Sequence, residues 1–440
     1  DGRGYGLSVR GIILLREGGS VPEGCIPSLA APPLLFAPMY VNTLLFSGNE
    51  ESVINALLPP SHSGYGVNPI LVGRSLDGMS HYVPLGGEQN ASHMVILGRT
   101  RSGKSTLVKW WMLEIVRQYG SQMRLVVADL KGEYVQRIAS PDGTVTTETL
   151  IPHATIVGKR DFLPLGWRTL RCENQDDAHT EAVNEARTAN MVLQLLGFPR
   201  KEEIVSTLMR AWKWFRQQGG DEKSYWSALK FIYNSAIQGL PRESVAATLF
   251  GGSGKVSQVH HAVIDLSWAS FRSPEQQAAF LWAIAGFIPL SGASRFIRTV
   301  LCIEEFQLLP KELLGTLLRV CGGKGVSTIL ITQAYEQVAQ LGGAGRQFSA
   351  AVVMAPQIDE LESVARVVFE MSLRDYLESK AKRDILELAS KPFGWGGIIS
   401  PVYGINTAVV TIPDEFLKRI QSFNIGIQDG RGFREGQDEI

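Results

Sequence analysis

The stretch His93-Met-Val-Ile-Leu-Gly98-Arg-Thr-Arg-Ser-Gly103-Lys104-Ser105-Thr106 decides the fold. Residues 93–97 are a short, largely apolar run of the kind that forms a strand buried on both faces. Residues 98–105 then spell G-x-x-x-x-G-K-S, and a helical pattern follows from about Lys104 to Tyr119. Strand, glycine-rich turn and helix, in that order, is the context in which this motif cradles phosphates. Gly98, Arg99, Thr100, Arg101, Ser102 and Gly103 form the loop. Its glycines let the backbone approach the ligand, and its N–H groups and the helix N-terminus face the negative charge. Lys104 is placed to neutralise the β- and γ-phosphates, Ser105 to ligate Mg2+, and Thr106 to complete the binding turn. The implied ligands are ATP and Mg2+.

Working outward, the chain alternates buried-strand and helix patterns, the signature of an α/β domain with a mostly parallel sheet. Strands are expected at Met123–Leu130, Ala262–Leu266, Arg298–Ile303, Val326–Thr332 and Ala350–Ala355, with two more near Gly397 and Ala408. Ser273-Pro274-Glu275-Gln276 reads as an N-cap, a first-turn proline and a capping-box glutamine, opening a helix to about Phe287. A further helix is expected around Leu373–Ala389. Upstream, Ile70 to Leu85 reads as a hairpin around Leu76-Asp77-Gly78.

Residues 176–250 interrupt the rhythm with consecutive helices: 181–196, 202–217, 224–237 and a segment started by Pro241. The aromatic cluster Trp212, Trp214 and Phe215 within it reads as helix packing. The expected division is an N-terminal, strand-rich subdomain over 1–67, the nucleotide-binding domain over 68–175 and 251–412, an all-helical insertion over 176–250, and a C-terminal helix and tail over 413–440.

The acidic partner that a phosphate loop needs stands at the end of another buried strand, in Val300-Leu301-Cys302-Ile303-Glu304-Glu305. Glu304 is assigned to the metal shell, through a water, and Glu305 to polarising the attacking water. On the next strand Thr332-Gln333 ends an apolar run, where Gln333 is positioned to sense the γ-phosphate or orient water. Gly251-Gly252-Ser253-Gly254-Lys255 and Gly322-Gly323-Lys324-Gly325 are poorer glycine–lysine matches and read as flexible loops.

Composition excludes several classes. Lys and Arg number 43 and Asp and Glu 43, giving zero formal charge, so the chain is not uniformly basic. The charge is unevenly placed. Residues 1–97 hold four arginines and seven acids, while residues 98–139 hold eight basic and three acidic groups, a surplus of +5 that fits a polyanion site. Residues 132–149 and 250–261 are candidate loops for contact with the phosphates of a polyanion. Residues 24–49 carry no charge, yet Pro27, Pro32, Pro33 and Pro38 break a spanning helix. Cys25, Cys172, Cys302 and Cys321 lie far apart, which fits a reducing compartment rather than a disulfide framework.

The ordered set HMVILGRTRSGKST, VVADLKGEY (126–134), AVIDLS (262–267), VLCIEE and ILITQ resembles the FtsK/HerA group of hexameric P-loop motors. Within that group the set looks nearest the HerA-like DNA pumps and the conjugative type IV secretion ATPases. The resemblance spans roughly residues 68–412. It implies a RecA-like core, a homohexamer, and ATP hydrolysis coupled to DNA translocation, in DNA transfer between cells or DNA processing. It also implies a cytoplasmic location, or a peripheral one at the inner face of the cell membrane, with membrane-embedded transfer channel or secretion components as further partners. An arginine supplied from a neighbouring subunit is implied too. Here the chain departs from the pattern, with Cys321-Gly322-Gly323-Lys324 where related pumps carry Arg-Lys, and Arg319 is the assignment over Lys324 and Arg346. Two alternatives stay open: a type IV secretion or pilus ATPase that moves protein or drives assembly, and a nucleotide-gated scaffold with little turnover.

Overall fold

A computed structural model describes residues 69–74, 80–85, 92–98, 101–139, 144–172, 174–198, 240–287, 298–308, 318, 321–322, 324–333, 348–354, 395–400, 404–409 and 412–431. The strands are β1 (Pro69–Arg74), β2 (Ser80–Pro84), β3 (His93–Gly98), β4 (Met123–Asp129), β5 (Val135–Ala139), β6 (Val145–Thr149), β7 (Ala154–Val157), β8 (His261–Asp265), β9 (Arg298–Glu304), β10 (Val326–Thr332), β11 (Phe348–Met354), β12 (Trp395–Ser400) and β13 (Gly404–Val409). The helices are α1 (Lys104–Tyr119), α2 (Gln175–Leu195), α3 (Val245–Phe250), α4 (Pro274–Phe287) and α5 (Asp414–Arg431).

Among the described residues, eleven strands make one sheet in the order β2-β1-β13-β12-β11-β3-β10-β9-β4-β8-β7. From β11 to β7 every neighbouring pair is parallel. From β11 outward to β2 every pair is antiparallel. The strand bearing the phosphate-loop sequence, β3, sits between β10 and β11, so both its edges are paired. The fold is a mostly parallel α/β sheet of the RecA-like P-loop class.

Side-chain alternation explains why the central strands are apolar throughout. On β3, Val95 and Leu97 face one core with Val126 and Ala128 of β4, under helices α2, α3 and α4. Met94 and Ile96 face the other with Leu125 and Val127, under α1 and under Ile420 and Phe423 of α5. Because helices cover both faces, both parities of position are mostly apolar, and buried polar exceptions such as His93 and Thr328 pair with each other. Helix α1 buries Leu107, Trp110, Trp111 and Ile115, and α4 is apolar almost all round and sits in the core. The alanines Ala178, Ala182, Ala186 and Ala189 of α2 recur every three or four residues, and their small side chains let α2 pack closely on α4.

Several expectations need correction. Residues 135–149 are not a plain loop: β5 and β6 pair antiparallel as a separate two-stranded sheet, against which α5 packs. The sequence Pro141-Asp142-Gly143, which favours a turn, and the Val/Thr content of β6 carried that signal. Strand β7, at the sheet edge, was also unanticipated; it has only four residues. The 251–254 segment is not flexible either. A Cβ at Gly252 would lie 2.1 Å from the Phe162 carbonyl oxygen, and Gly254 packs on the Trp167 ring with φ at +73°. These glycines are there because backbone and indole leave no room for a side chain. Ser273 does cap α4, accepting the Gln276 N–H at 3.1 Å. Gln276 also reaches back locally: its Oε1 accepts the Arg272 N–H at 3.0 Å, one residue before the Ser273 N–H that a capping box uses. Its amide reaches the Leu130 and Leu266 carbonyls at 2.8 and 3.0 Å and ties the ends of β4 and β8 to the helix. The hairpin expected at 70–85 is β1–β2. The N-terminal subdomain 1–67, the helices expected at 202–217, 224–237 and 373–389, and Trp212, Trp214 and Phe215 lie outside the described residues.

Candidate nucleotide-binding site

Three parallel neighbours, β3, β10 and β9, end side by side, and their C-terminal edges carry the phosphate loop, Gln333 and the Glu304–Glu305 pair. In a parallel sheet this edge is where ligands gather, because the following helices begin there. At the end of β3 the chain turns sharply into α1. A Cβ at Gly98 would sit 2.4 Å from the Met354 carbonyl oxygen and 2.8 Å from Ser102 Oγ, so only glycine fits. Arg101 takes φ +65° and Gly103 φ +97°, two left-handed residues that fold the loop back on itself before α1 starts at Lys104. Helix α1 has no side-chain cap and no acidic residue in its first turn, which leaves its N–H groups for an anion.

Lys104 is buried, its ammonium donating to the Gly98 carbonyl oxygen. Burial lowers its pKa to about 8; the Glu305 charge opposes that fall, Lys131 adds to it, and Glu304 opposes it. Ser102 Oγ is buried without a hydrogen-bond partner among the described residues. A buried orphan hydroxyl in a loop of this shape fits a polar ligand. Ser105 and Thr106 are partly exposed on the first turn of α1, and Arg101 is exposed. Arg99, Thr100, Arg319 and Arg346 lie outside the described residues. Lys324 faces Glu181 of α2 at 3.6 Å.

The two carboxylates at the end of β9 differ in environment. Glu304 is wholly buried and accepts the Tyr134 hydroxyl at 2.6 Å. Burial, helped by the Glu133 charge, pushes its pKa up to about 7 against the Tyr134 hydrogen bond and the Lys109 charge. Glu305 follows with φ +52°, a left-handed turn in a non-glycine residue that reverses the direction of its side chain. Its Oε1 accepts from Lys131 Nζ and, at 3.0 Å, from Gln333 Nε2, and its Oε2 accepts from Gln307 Nε2. Burial works to raise its pKa, but Lys131, Gln307 and Gln333 together hold it below the ordinary glutamate value. Glu305, Gln333 and Lys104 thus share one electrostatic neighbourhood.

Sequence reasoning noticed the Asp129-x-Lys131-Gly132-Glu133-Tyr134 segment but gave it no part in the site. In the fold it is the bracket around the acidic pair. Asp129, at the end of β4, accepts the N–H groups of Glu133 and Tyr134, both at 2.9 Å, and so fixes the turn. That turn sends Tyr134 to Glu304 and Lys131 to Glu305, and pairs Glu133 with Lys109 of α1 at 3.1 Å. Burial raises the Asp129 pKa to about 6 against those two backbone donors. Gln307, oriented by the Thr332 hydroxyl at 2.8 Å, was also missed.

His93, which opens β3, lies at the opposite end of the strand from the phosphate loop. Its Nδ1 pairs with Thr328 Oγ1 at 2.9 Å, and burial lowers its pKa to about 4. It is a neutral histidine locking β3 to β10. Cys172, Cys302 and Cys321 are buried free thiols. Among the described residues no helix is long and apolar enough to cross a membrane.

Comparison with known proteins gives similarities at the level of the fold. Residues 70–225 match the family model described as "Helicase HerA, central domain". No curated protein sequence matches. Among solved structures, the fold is similar to VirB4 of Thermoanaerobacter pseudethanolicus, at TM-score 0.52 and 15% identity over 81% of this chain and 98% of that one. A second similar structure is the plasmid coupling protein TrwB in complex with ADP and Mg2+, at TM-score 0.40 and 13% identity over 79% of this chain and 90% of that one. The matched span takes in the phosphate loop, the Asp129–Tyr134 bracket and the strands that hold them, and over that span the chain is similar to the HerA central domain.

Proposed function

We propose that the chain is an ATP-hydrolysing ring motor that translocates DNA, acting in DNA transfer between cells or in DNA processing. The observation that carries the hydrolytic part is the meeting of Lys104, Glu305 and Gln333 at the edges of three adjacent parallel strands. The loop N–H groups, Ser102 and Lys104 bind the phosphates. The orphan Ser102 hydroxyl and the glycine-lined turn fit such a ligand. Ser105 and, through a water, Glu304 would hold Mg2+, which when bound neutralises charge on the phosphate oxygens. Glu305 accepts the proton of the attacking water, and Gln333 orients that water and reports the state of the γ-phosphate. General-base assistance of this kind is worth roughly 10²–10⁴ in rate. Arg319 of a neighbouring subunit completes the site in a homohexamer.

The DNA part rests on the similarity to the HerA central domain and on charge. Arg101, Arg137 and Arg272 are exposed and Lys131 and Lys255 are partly so or fully so, around a chain of zero net charge. A cytoplasmic placement at the inner membrane face, next to transfer channel components, follows from the same reading.

The test is ATP turnover with and without single- and double-stranded DNA over a salt series. The expected result is stimulation by DNA that falls with salt and is absent in Lys104→Ala. Turnover indifferent to DNA would replace translocation with a secretion or assembly motor. Tight ATP binding without phosphate release would replace it with a scaffold.

A further inference from the structure

Beside the nucleotide site, the same C-terminal edge of the sheet carries a row of rings and cations. Strands β4, β8 and β7 end together, with Asp129 in register with Asp265 and Val157 with Ile264. Strand β8 lies between the other two, and the segment that leaves it is Ser267-Trp268-Ala269-Ser270-Phe271-Arg272. From the β7 side, Lys159 Nζ stands 4.7 Å from the Trp268 ring centroid. From the β4 side, Lys131 Nζ stands 5.9 Å from that of Phe271, which the Arg272 guanidinium approaches at 5.3 Å. Both distances at Phe271 are near the outer limit of such contacts, and the ring keeps 44% of its surface in solvent. It is the one exposed aromatic side chain among the described residues.

The backbone of this segment is fixed at both ends. The Ser267 N–H and hydroxyl donate to Asp265 Oδ1 at 3.0 and 2.6 Å. The Ser273 N–H donates to the Ser270 carbonyl at 2.9 Å, and the Arg272 N–H to Gln276 Oε1 at 3.0 Å. Arg272 is thereby held at φ +66°, a left-handed conformation that a non-glycine residue keeps where its surroundings impose it. Charge follows the same edge. Arg137, Arg160 and Arg272 are exposed and Lys159 is partly so, while Lys131 is paired with Glu305. Among the described residues Lys159, Arg160 and Arg272 make no ion pair. The neighbouring acids are turned to other partners: Asp265 to Ser267, Asp161 to the Gly158 N–H at 2.9 Å, and Glu133 to Lys109. Glu275, partly exposed at the start of α4, offsets one positive charge.

A held row of aromatic rings flanked by unpaired cations suits a single strand. Its bases stack on ring faces whatever their sequence, and its phosphates meet the cations. A duplex keeps its bases stacked inside and offers such a row its phosphates alone. We infer that the strip Trp268–Arg272, with Lys159 and Arg160 beside it, binds single-stranded DNA. This rests on the proposed function and deepens it, giving the DNA reading a site and a strand type.

The experiment measures binding of the full-length chain, without nucleotide, to a fluorescein-labelled oligothymidylate and to a duplex of the same length. Fluorescence anisotropy over a salt series reads both. Wild type should hold the single strand more tightly. Phe271→Ala should weaken the single strand about tenfold, the loss of one stacked base, and leave the duplex within about twofold. Phe271→Trp should restore the single-strand affinity. Arg272→Ala should reduce the salt slope on the single strand by about 0.7, one phosphate contact. Arg187→Ala, which removes an exposed cation on α2, should change neither probe. Irradiation with an iodouracil-substituted strand should give adducts within residues 267–272. Equal loss of both probes in Phe271→Ala, or loss of neither, overturns the strip while DNA binding and the proposed function stand. A wild type that binds neither probe removes both. Sedimentation is run on each variant, and a Phe271→Ala chain that falls to a smaller assembly makes the strip a contact between copies and overturns the inference. Phe271→Leu carries the same comparison should the alanine variant fail to fold, because it keeps apolar volume without an aromatic face.

Discussion

Nucleotide binding should draw a proton from solution, and Lys104 sets how much. Its ammonium is buried against the Gly98 carbonyl, and burial brings its pKa down to about 8. A bound triphosphate adds several negative charges beside it and returns the pKa to at least the ordinary lysine value, near 10.5. At pH 8 about half the unliganded sites then lack the proton, and about nine-tenths lack it at pH 9. Binding should therefore take up about 0.5 proton per site at pH 8, about 0.9 at pH 9, and little at pH 7. By the same linkage, affinity should fall towards tenfold per pH unit above pH 8. Isothermal titration in two buffers of different ionisation enthalpy reads the uptake directly. Lys104→Arg is the control, because a guanidinium stays charged and should abolish the uptake. Uptake near zero at both pH 8 and pH 9 in the wild type would refute the argument that Lys104 is buried, partly deprotonated and re-protonated by phosphate.

Other outcomes follow from single contacts. Tyr134→Phe removes the donor to the buried Glu304 carboxylate, worth about 1.5–3 kcal/mol for a charged acceptor. Its pKa should rise from about 7 by roughly one to two units, and the Mg2+ concentration needed for half-maximal nucleotide turnover at pH 7.5 should rise with it. Gly252→Ala forces a Cβ to 2.1 Å from the Phe162 carbonyl, so urea unfolding should show a loss of about 2 kcal/mol or more. Glu185 on α2, buried and held by Gly166 N–H and the Thr169 hydroxyl, has its pKa raised by burial to about 7 from an ordinary 4.5. Its folded pKa is the higher one, so its contribution is full below about pH 4.5 and is lost as pH rises through 7. The thermal midpoint of Glu185→Gln relative to wild type should therefore climb between pH 5 and pH 8, and a flat difference would contradict that burial.

Much of this architecture can be read from the chain because parallel strands covered on both faces are mostly apolar at both parities of position. β3, β4, β8, β9 and β10 are such runs, and the residues that end them are the polar ones that matter. Val300–Ile303 followed by two glutamates is legible for that reason, as is Thr332-Gln333. What escaped lies where local pattern and tertiary purpose part. Lys131 and Tyr134 stand in a turn whose direction depends on Asp129 accepting two backbone N–H groups, and nothing in the order of residues says which neighbouring strand the turn will face. That strand is β9, distant in sequence and adjacent only through the sheet order. Gln276 shows the same limit: its spacing after Ser273 suggests a local contact, which its Oε1 makes with the Arg272 N–H, but not that its Nε2 also donates to two carbonyls at the ends of β4 and β8. The glycines of 251–254 look like slack until Phe162 and Trp167 are placed against them.

The account turns on Glu305 being the group that activates water while Lys104 and its loop hold the nucleotide. The most direct measurement is phosphate release by Glu305→Gln, made beside wild type on protein shown by titration to bind ATP. The glutamine keeps the shape and the contacts with Lys131 and Gln333 in part but cannot accept the proton. Binding should stay within a few-fold of wild type while release falls by about 10² or more. Release at the wild-type rate, with binding intact, would contradict the central assignment.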